Sequence, residues 1–287
     1  EDGIRDHCVT GVQTCALPIS TPLYKLTYKF DNNKYNKNCI LYYLLNNKLK
    51  FYLIHVGKTG GSTISKYLTN NNIQYKKIHC KQIDYEKDKN YIITLRNPIC
   101  RFISAFNWRY KKFLNNEIIK NRFNEYKIIF ELSIYEKYQN INNLAEKLYI
   151  NNKLNEELHL ELRTIKSHLF MNIDFYISNF LEQCPKDKIY KVITNENLNK
   201  DMKSLFNIDI IDREKDNKNF DKIKRLSKQG YLNLKKYLEK DYKCINKLID
   251  YNLVDKNYLE DGYGCLDLSF MHIPKTGGTS IEDAAKN

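Results

Sequence analysis

Phe51-Tyr52-Leu53-Ile54-His55-Val56-Gly57-Lys58-Thr59-Gly60-Gly61-Ser62-Thr63-Ile64 is the stretch that decides how the chain is read. Its apolar start predicts a buried strand over 51–55. Ile64, Tyr67 and Leu68 follow at helical spacing, so a helix opens at the glycines and runs to about Asn70. A strand that ends in a lysine-bearing, glycine-rich turn and opens a helix is a cradle for phosphate. Glycines let backbone N–H groups turn inward without a Cβ clash. The helix N-terminus adds unpaired donors and a partial positive charge, and Lys58 adds a full one. Residue order separates two kinds of cradle. In a Walker A loop, G-x-x-x-x-G-K-[ST], the lysine follows the glycines. Here Lys58 precedes them.

A second segment has the same logic. Tyr91-Ile92-Ile93-Thr94-Leu95 reads as a strand, and Arg96-Asn97-Pro98 leads into a helix that carries Arg101, Ser104 and Trp108. Arginine offers a fork of donors that matches a doubly charged phosphate. Pro98 suits a first helical turn, where a missing N–H costs nothing. Ser104 lies one to two turns into the helix, so its hydroxyl can face the same anion as Arg96. Alone, the segment reads equally well as a surface turn. Following the first loop in this order, it does not.

The two loops resemble the phosphate-binding signatures of the sulfotransferases that use 3′-phosphoadenosine 5′-phosphosulfate (PAPS). The first is similar to H-x-P-K-T-G-G-T of the carbohydrate and heparan-type members, and the second to R-[DN]-P-x-x-R-x-x-S. Downstream, a strand over 189–194 and Glu196-Asn197-Leu198 with Asp201 resemble the family's E-N-L-x-x-D. Residues 229–249, with Asp241-Tyr242, resemble its closing helix. The late segments are supportive only, since amphipathic helices of this kind are common. The resemblance covers about residues 50–250.

It implies a P-loop-like, three-layer α/β fold with a mostly parallel sheet. The reaction implied is transfer of a sulfuryl group from PAPS to a hydroxyl or amine of an acceptor, with a carbohydrate preferred, and without a metal. Lys58 would act on the leaving group, and Lys58, Thr59, Gly60, Gly61, Ser62 and Thr63 would hold the 5′-phosphosulfate. Arg96 and Ser104 would hold the 3′-phosphate, with Arg101 a weaker partner. The expected base is His79, which ends the second strand (Ile73–Ile78) at the same sheet edge as the phosphate loop. The alternative is a histidine that merely caps a strand. His168 is the runner-up, in the 98–170 region where the family builds its acceptor cleft. His55 is expected to bond within its own turn, Phe106 and Trp108 to pack in the core rather than on adenine, and Glu196 and Asp201 to cap a helix. Two other readings are a P-loop nucleotide kinase and an inactive nucleotide-binding domain. The missing Walker order opposes the first, and the intact Lys58, Arg96 and Ser104 oppose the second.

Composition narrows the class. The 287 residues suffice for one sizeable α/β domain, and 42% apolar content suits a globular core. No apolar run reaches the roughly 18–20 residues of a membrane span. The net charge of +13 raises nucleic acid as a partner. The excess is lysine scattered among Asn, Ile and Tyr, the imprint of an AT-rich coding genome, and neither RNA-binding signatures nor paired Cys/His spacings occur. A basic surface suits an anionic donor. The eight cysteines form no C-x-x-C; Cys8 and Cys15 are not expected to belong to the protein, and the other six read as reduced thiols rather than a disulfide frame.

Residues 1–19, Val9 to Ile19 above all, look like a translated sequencing adapter, so no fold is expected there. The natural start is expected to be missing, together with any signal or Golgi-type anchor, and the compartment stays open. Residues 20–255 are read as the sulfotransferase domain, opening with a hairpin over 23–30 and 39–46. Residues 256–287 are read as a linker and the truncated start of a second copy near residue 268. Phe270-Met271-His272-Ile273-Pro274-Lys275-Thr276-Gly277-Gly278-Thr279 repeats the first loop, with Pro274 where the first has Gly57.

Overall fold

A computed structural model describes residues 51–115, 125–165, 167–211 and 225–259, all within the compact unit Phe51–Asn287. The hairpin over 23–30 and 39–46, residues 1–19 and the repeated loop near 268 lie outside the described residues.

The apolar runs form the strands expected of them. β1 (Phe51–His55), β2 (Tyr75–His79), β3 (Tyr91–Leu95) and β6 (Ile189–Thr194) make one parallel sheet in the order β2-β1-β3-β6. Every residue of β1 and β3 is buried, as central parallel strands require. The edge strand β2 keeps Lys76 and Lys77 in solvent. Registers place His55 beside His79 and Thr94, and Leu95 beside Thr194. The segments leaving all four strands therefore emerge along one edge, where open α/β sheets place ligands.

Helices flank the sheet. They are α1 (Gly61–Asn70), α2 (Pro98–Leu114), α3 (Glu125–Tyr138), α4 (Ile141–Lys147), α5 (Glu156–Ile165), α6 (Ile173–Gln183), α7 (Leu198–Phe206), α8 (Lys228–Tyr237) and α9 (Glu239–Asp250). Alternate strand residues Tyr52, Ile54, Tyr91, Ile93 and Val192 share a core with Ile177 and Phe180 of α6 and Ile245 and Leu248 of α9. Leu53 and Ile92 point the other way, where Phe51 stacks on Phe206 of α7 at 5.9 Å. Tyr67 of α1 accepts the N–H of Ile211 just beyond α7. The result is a three-layer α/β arrangement.

A second core joins Phe102 and Phe106 of α2 with Tyr135 of α3, Leu144 of α4, Leu162 of α5 and Leu234 of α8. Arg109 of α2 clamps the buried Glu131 of α3 bidentately at 2.5 Å. Among the described residues, no helix is long and apolar enough to cross a membrane.

Two local expectations need correction. β2 starts at Tyr75 rather than Ile73, because Ile73 N–H donates to Leu68 O and closes α1 around Asn72 (φ 57). Asn151-Asn152 lies between α4 and α5. With φ of 50 and 61 it turns a small antiparallel hairpin, β4 (Tyr149–Ile150) and β5 (Lys153–Leu154). The closing helix is two helices that meet at Leu238 (φ −93, ψ 17), and Asp241 in the first turn of α9 accepts the N–H groups of Ile173 and Asp174.

Candidate functional site

The loop after β1 departs from ordinary backbone at two adjacent turns. Lys58 has φ 70, a left-handed conformation that costs a residue with a Cβ roughly 1–2 kcal/mol. Gly60 has φ 84 and precedes α1, which starts without a side-chain cap. A Cβ on residue 60 would also meet Asn195 Nδ2 at 2.7 Å. Glycine is required there twice over.

The loop is tied to its neighbours through threonine. Thr59 is fully buried, and its Oγ1 donates to Val56 O and lies 2.6 Å from Thr94 Oγ1. Its hydroxyl ties the loop to β3, so only backbone is left to offer. Ser62 is half-buried in the first turn of α1 and Thr63 is buried.

The loop after β3 is built differently. Asn97 caps α2 itself, its side chain accepting from Ile99 and Cys100 N–H, with Pro98 in the first turn. Asn97 N–H in turn donates to Glu196 Oε1 at 2.9 Å, while Tyr258 donates to Glu196 Oε2. Asp201 accepts from the N–H and hydroxyl of Thr194. Neither Glu196, which precedes α7, nor Asp201, in its first turn, caps that helix. Glu196 straps the ends of β6 and β3 together, a role that needs two distant segments and is invisible in either one, while Asp201 ties α7 to the end of β6. Arg96 stays half-buried at the mouth of this loop, with the half-buried Ser104 further along α2.

Arg101 requires correction. It is fully buried and donates to the carbonyls of His168 and Met171. Asp241 is fully buried with it, and burial pushes the Asp241 carboxyl up while the Arg101 charge draws it down. An arginine enclosed this way braces α2 against the 168–171 turn and α9 rather than presenting its fork to solvent.

The histidines named separately in the sequence come together. His79 stacks on His55 with centroids 4.1 Å apart and lies 5.4 Å from His168. His79 Nδ1 is 2.9 Å from His55 O. A carbonyl only accepts, so Nδ1 carries the proton and the lone pair of the neutral ring is on Nε2. Burial lowers the pKa of His79, with Lys77 adding to the effect against the His55 carbonyl bond. His168 is driven down to about 3 by burial and then by Arg101, His79, Lys58 and Arg109. Both rings are therefore neutral at neutral pH.

His168 occupies space that only glycine at 57 leaves open, since a Cβ there would collide with its ring. His55 fills the same kind of space over Gly61. Phe106 is core, as expected, but Trp108 is not. It is half-buried, 5.7 Å from His168, with Lys58 Nζ 4.7 Å from its ring centroid. Lys58, Trp108, His168 and His79 thus form one continuous wall above the sheet edge. The sequence offered one signal for Trp108, a lone tryptophan on the helix of the second phosphate segment. Helical spacing alone assigned it to the core.

No protein-family model, curated protein or solved structure matches the chain.

Proposed function

We propose that the protein is a PAPS-dependent sulfotransferase acting on a hydroxyl or amine, with a carbohydrate as the preferred acceptor class. The observation that carries this reading is the meeting, at one edge of a parallel sheet, of Lys58 on an uncapped helix start with a histidine whose Nε2 lone pair is open. The Arg96 loop one strand away supports it, at the place where a second phosphate of the same nucleotide would lie.

The roles follow from charge and geometry. The N–H groups opening α1 would hold the 5′-phosphate, and Arg96 with Ser104 the 3′-phosphate. The acceptor oxygen attacks sulfur in line, and the bond from sulfur to the bridging phosphate oxygen breaks. That oxygen keeps the electron pair, and Lys58 Nζ stabilises the charge it gains. The acceptor proton passes to His79 Nε2, whose Nδ1–H the His55 carbonyl holds in place. The products are a sulfate ester (or sulfamate) and 3′-phosphoadenosine 5′-phosphate. A carbohydrate acceptor would find an aromatic platform in Trp108.

The test is radiolabelled sulfuryl transfer from PAPS across a panel of glycans, phenols and peptides, run beside direct binding of 3′-phosphoadenosine 5′-phosphate. Transfer to one class supports the proposal. No transfer together with no nucleotide binding would sink it.

A further inference from the structure

The histidine wall has a second chemistry that sulfuryl transfer leaves unused. His79, Cys80 and His168 bring three ligand atoms within 4.8 Å of one another. Successive side chains of a strand point to opposite faces, so His79 and Cys80 should diverge. They converge because Cys80, the first residue after β2, has φ 57 and turns the chain back. His168 arrives from the turn before α6, and its Nδ1 is buried with no hydrogen-bond partner. The Nδ1–H of His79 on the His55 carbonyl is the outer hydrogen bond that orients metal-ligating imidazoles and leaves Nε2 to the ion.

We propose that His79, Cys80 and His168 form a binding site for a borderline-soft divalent ion, zinc, with the fourth position open. Two imidazoles and a thiolate without a carboxylate select zinc over magnesium or calcium. A tetrahedral zinc with bonds of about 2.0–2.3 Å needs ligand atoms about 3.3–3.7 Å apart, so the three side chains close in by about an ångström when it binds. Lys58, Arg101 and Arg109 put positive charge beside His168, and the thiolate supplies the compensating anion. As the Zn–S bond forms, the Cys80 proton is released to solvent.

Resting on the sulfotransferase reading, zinc here is an inhibitor. It takes the lone pair that the acceptor's proton needs. The binding site itself does not depend on that reading.

Cobalt(II) titration of the whole protein tests the site. The expected result is one equivalent bound with a thiolate-to-cobalt charge-transfer band. The band should be lost in Cys80→Ser, and affinity should fall by about tenfold or more in His168→Ala. No such band in the wild type, or one that survives Cys80→Ser, overturns the proposal. Should a variant fail to fold, alkylation of the wild type decides. Zinc should slow modification of Cys80 by about tenfold or more while Cys100 reacts unchanged, and equal rates at Cys80 with and without zinc overturn it. Cobalt binding by a protein that, once freed of metal by a chelator, neither transfers sulfuryl nor binds 3′-phosphoadenosine 5′-phosphate would leave the metal site standing and remove the enzyme reading. Transfer without the cobalt band would do the reverse.

Discussion

Two helices start at the same sheet edge, and they start in opposite ways. α1 opens from a left-handed Gly60 with no side-chain cap, beside a lysine in a strained conformation. α2 opens from Asn97, whose side chain takes the first N–H groups itself, behind a proline that has none to give. One start presents backbone to an anion, and the other is sealed and must rely on the side chains around it. The contrast assigns different work to the two loops. On the proposed function, the first would grip the phosphate whose charge changes during reaction, and the second would only read whether another phosphate is present.

Lys58→Ala should therefore have the largest effect, lowering transfer on the order of 10³-fold or more. Binding of 3′-phosphoadenosine 5′-phosphate should change far less, because the backbone grip remains. Lys58 also covers Trp108, so tryptophan fluorescence should shift in the variant while circular dichroism does not. A variant that keeps more than about a tenth of the wild-type rate would remove Lys58 from the leaving-group role.

His79→Ala should come next, at about 10²-fold or more in kcat with nucleotide affinity nearly unchanged. The pH profile carries the sign. In the proposed role the neutral ring is the base, and burial lowers its pKa from the ordinary 6.5. With a chelator present, the rate should stay level through neutrality and fall as pH drops through a value below 6.5, and this acid limb should be missing from His79→Ala. A limb that persists in His79→Ala and disappears in His168→Ala would move the base to the other ring. His168, driven to about 3, would place that limb in more acidic solution.

Arg96→Ala sharpens the comparison from the other side. Losing one charge-assisted fork is worth about 1.5–3 kcal/mol, or roughly 10- to 150-fold weaker binding of 3′-phosphorylated nucleotides. Adenosine 5′-phosphosulfate, which lacks that phosphate, should bind almost as before. Equal losses for both ligands would place Arg96 elsewhere in the site.

What was legible in the sequence follows the range of the interactions. The strands at 51–55, 91–95 and 189–194, and both helix starts, are written in short runs where local chemistry decides. Asn97-Pro98 can hardly do anything but open a helix. The side chains behind the loops were not legible. Arg101 matched a phosphate motif but is enclosed by carbonyls of His168 and Met171 and by Asp241, three partners that no local window contains. The place of the Thr59 hydroxyl was not legible for the same reason, its partner being Thr94 on the next strand. Cys80 carried no signal at all, since its convergence with His79 depends on one positive φ at the end of β2.

The smallest predicted effect probes the join between what was legible and what was not. Gly57 stands where the pattern that the first loop resembles has proline, and the repeated loop has Pro274 in the corresponding position. The φ of Gly57 is not positive, so nothing in its own backbone demands glycine. The demand comes from His168, whose ring occupies the space a Cβ would take. That ring is held between Trp108 and His79 and cannot simply step aside. Gly57→Ala should accordingly destabilise the fold by about 1–3 kcal/mol through overpacking, measured by urea denaturation. If the clash is with His168 alone, the cost should largely vanish when Gly57→Ala is made in a His168→Ala background, as a double-mutant cycle would register. Equal costs in both backgrounds would mean that residue 57 is glycine for a reason in the loop itself. The histidine would then be a neighbour of the phosphate loop rather than the group for which that loop gave up its side chain.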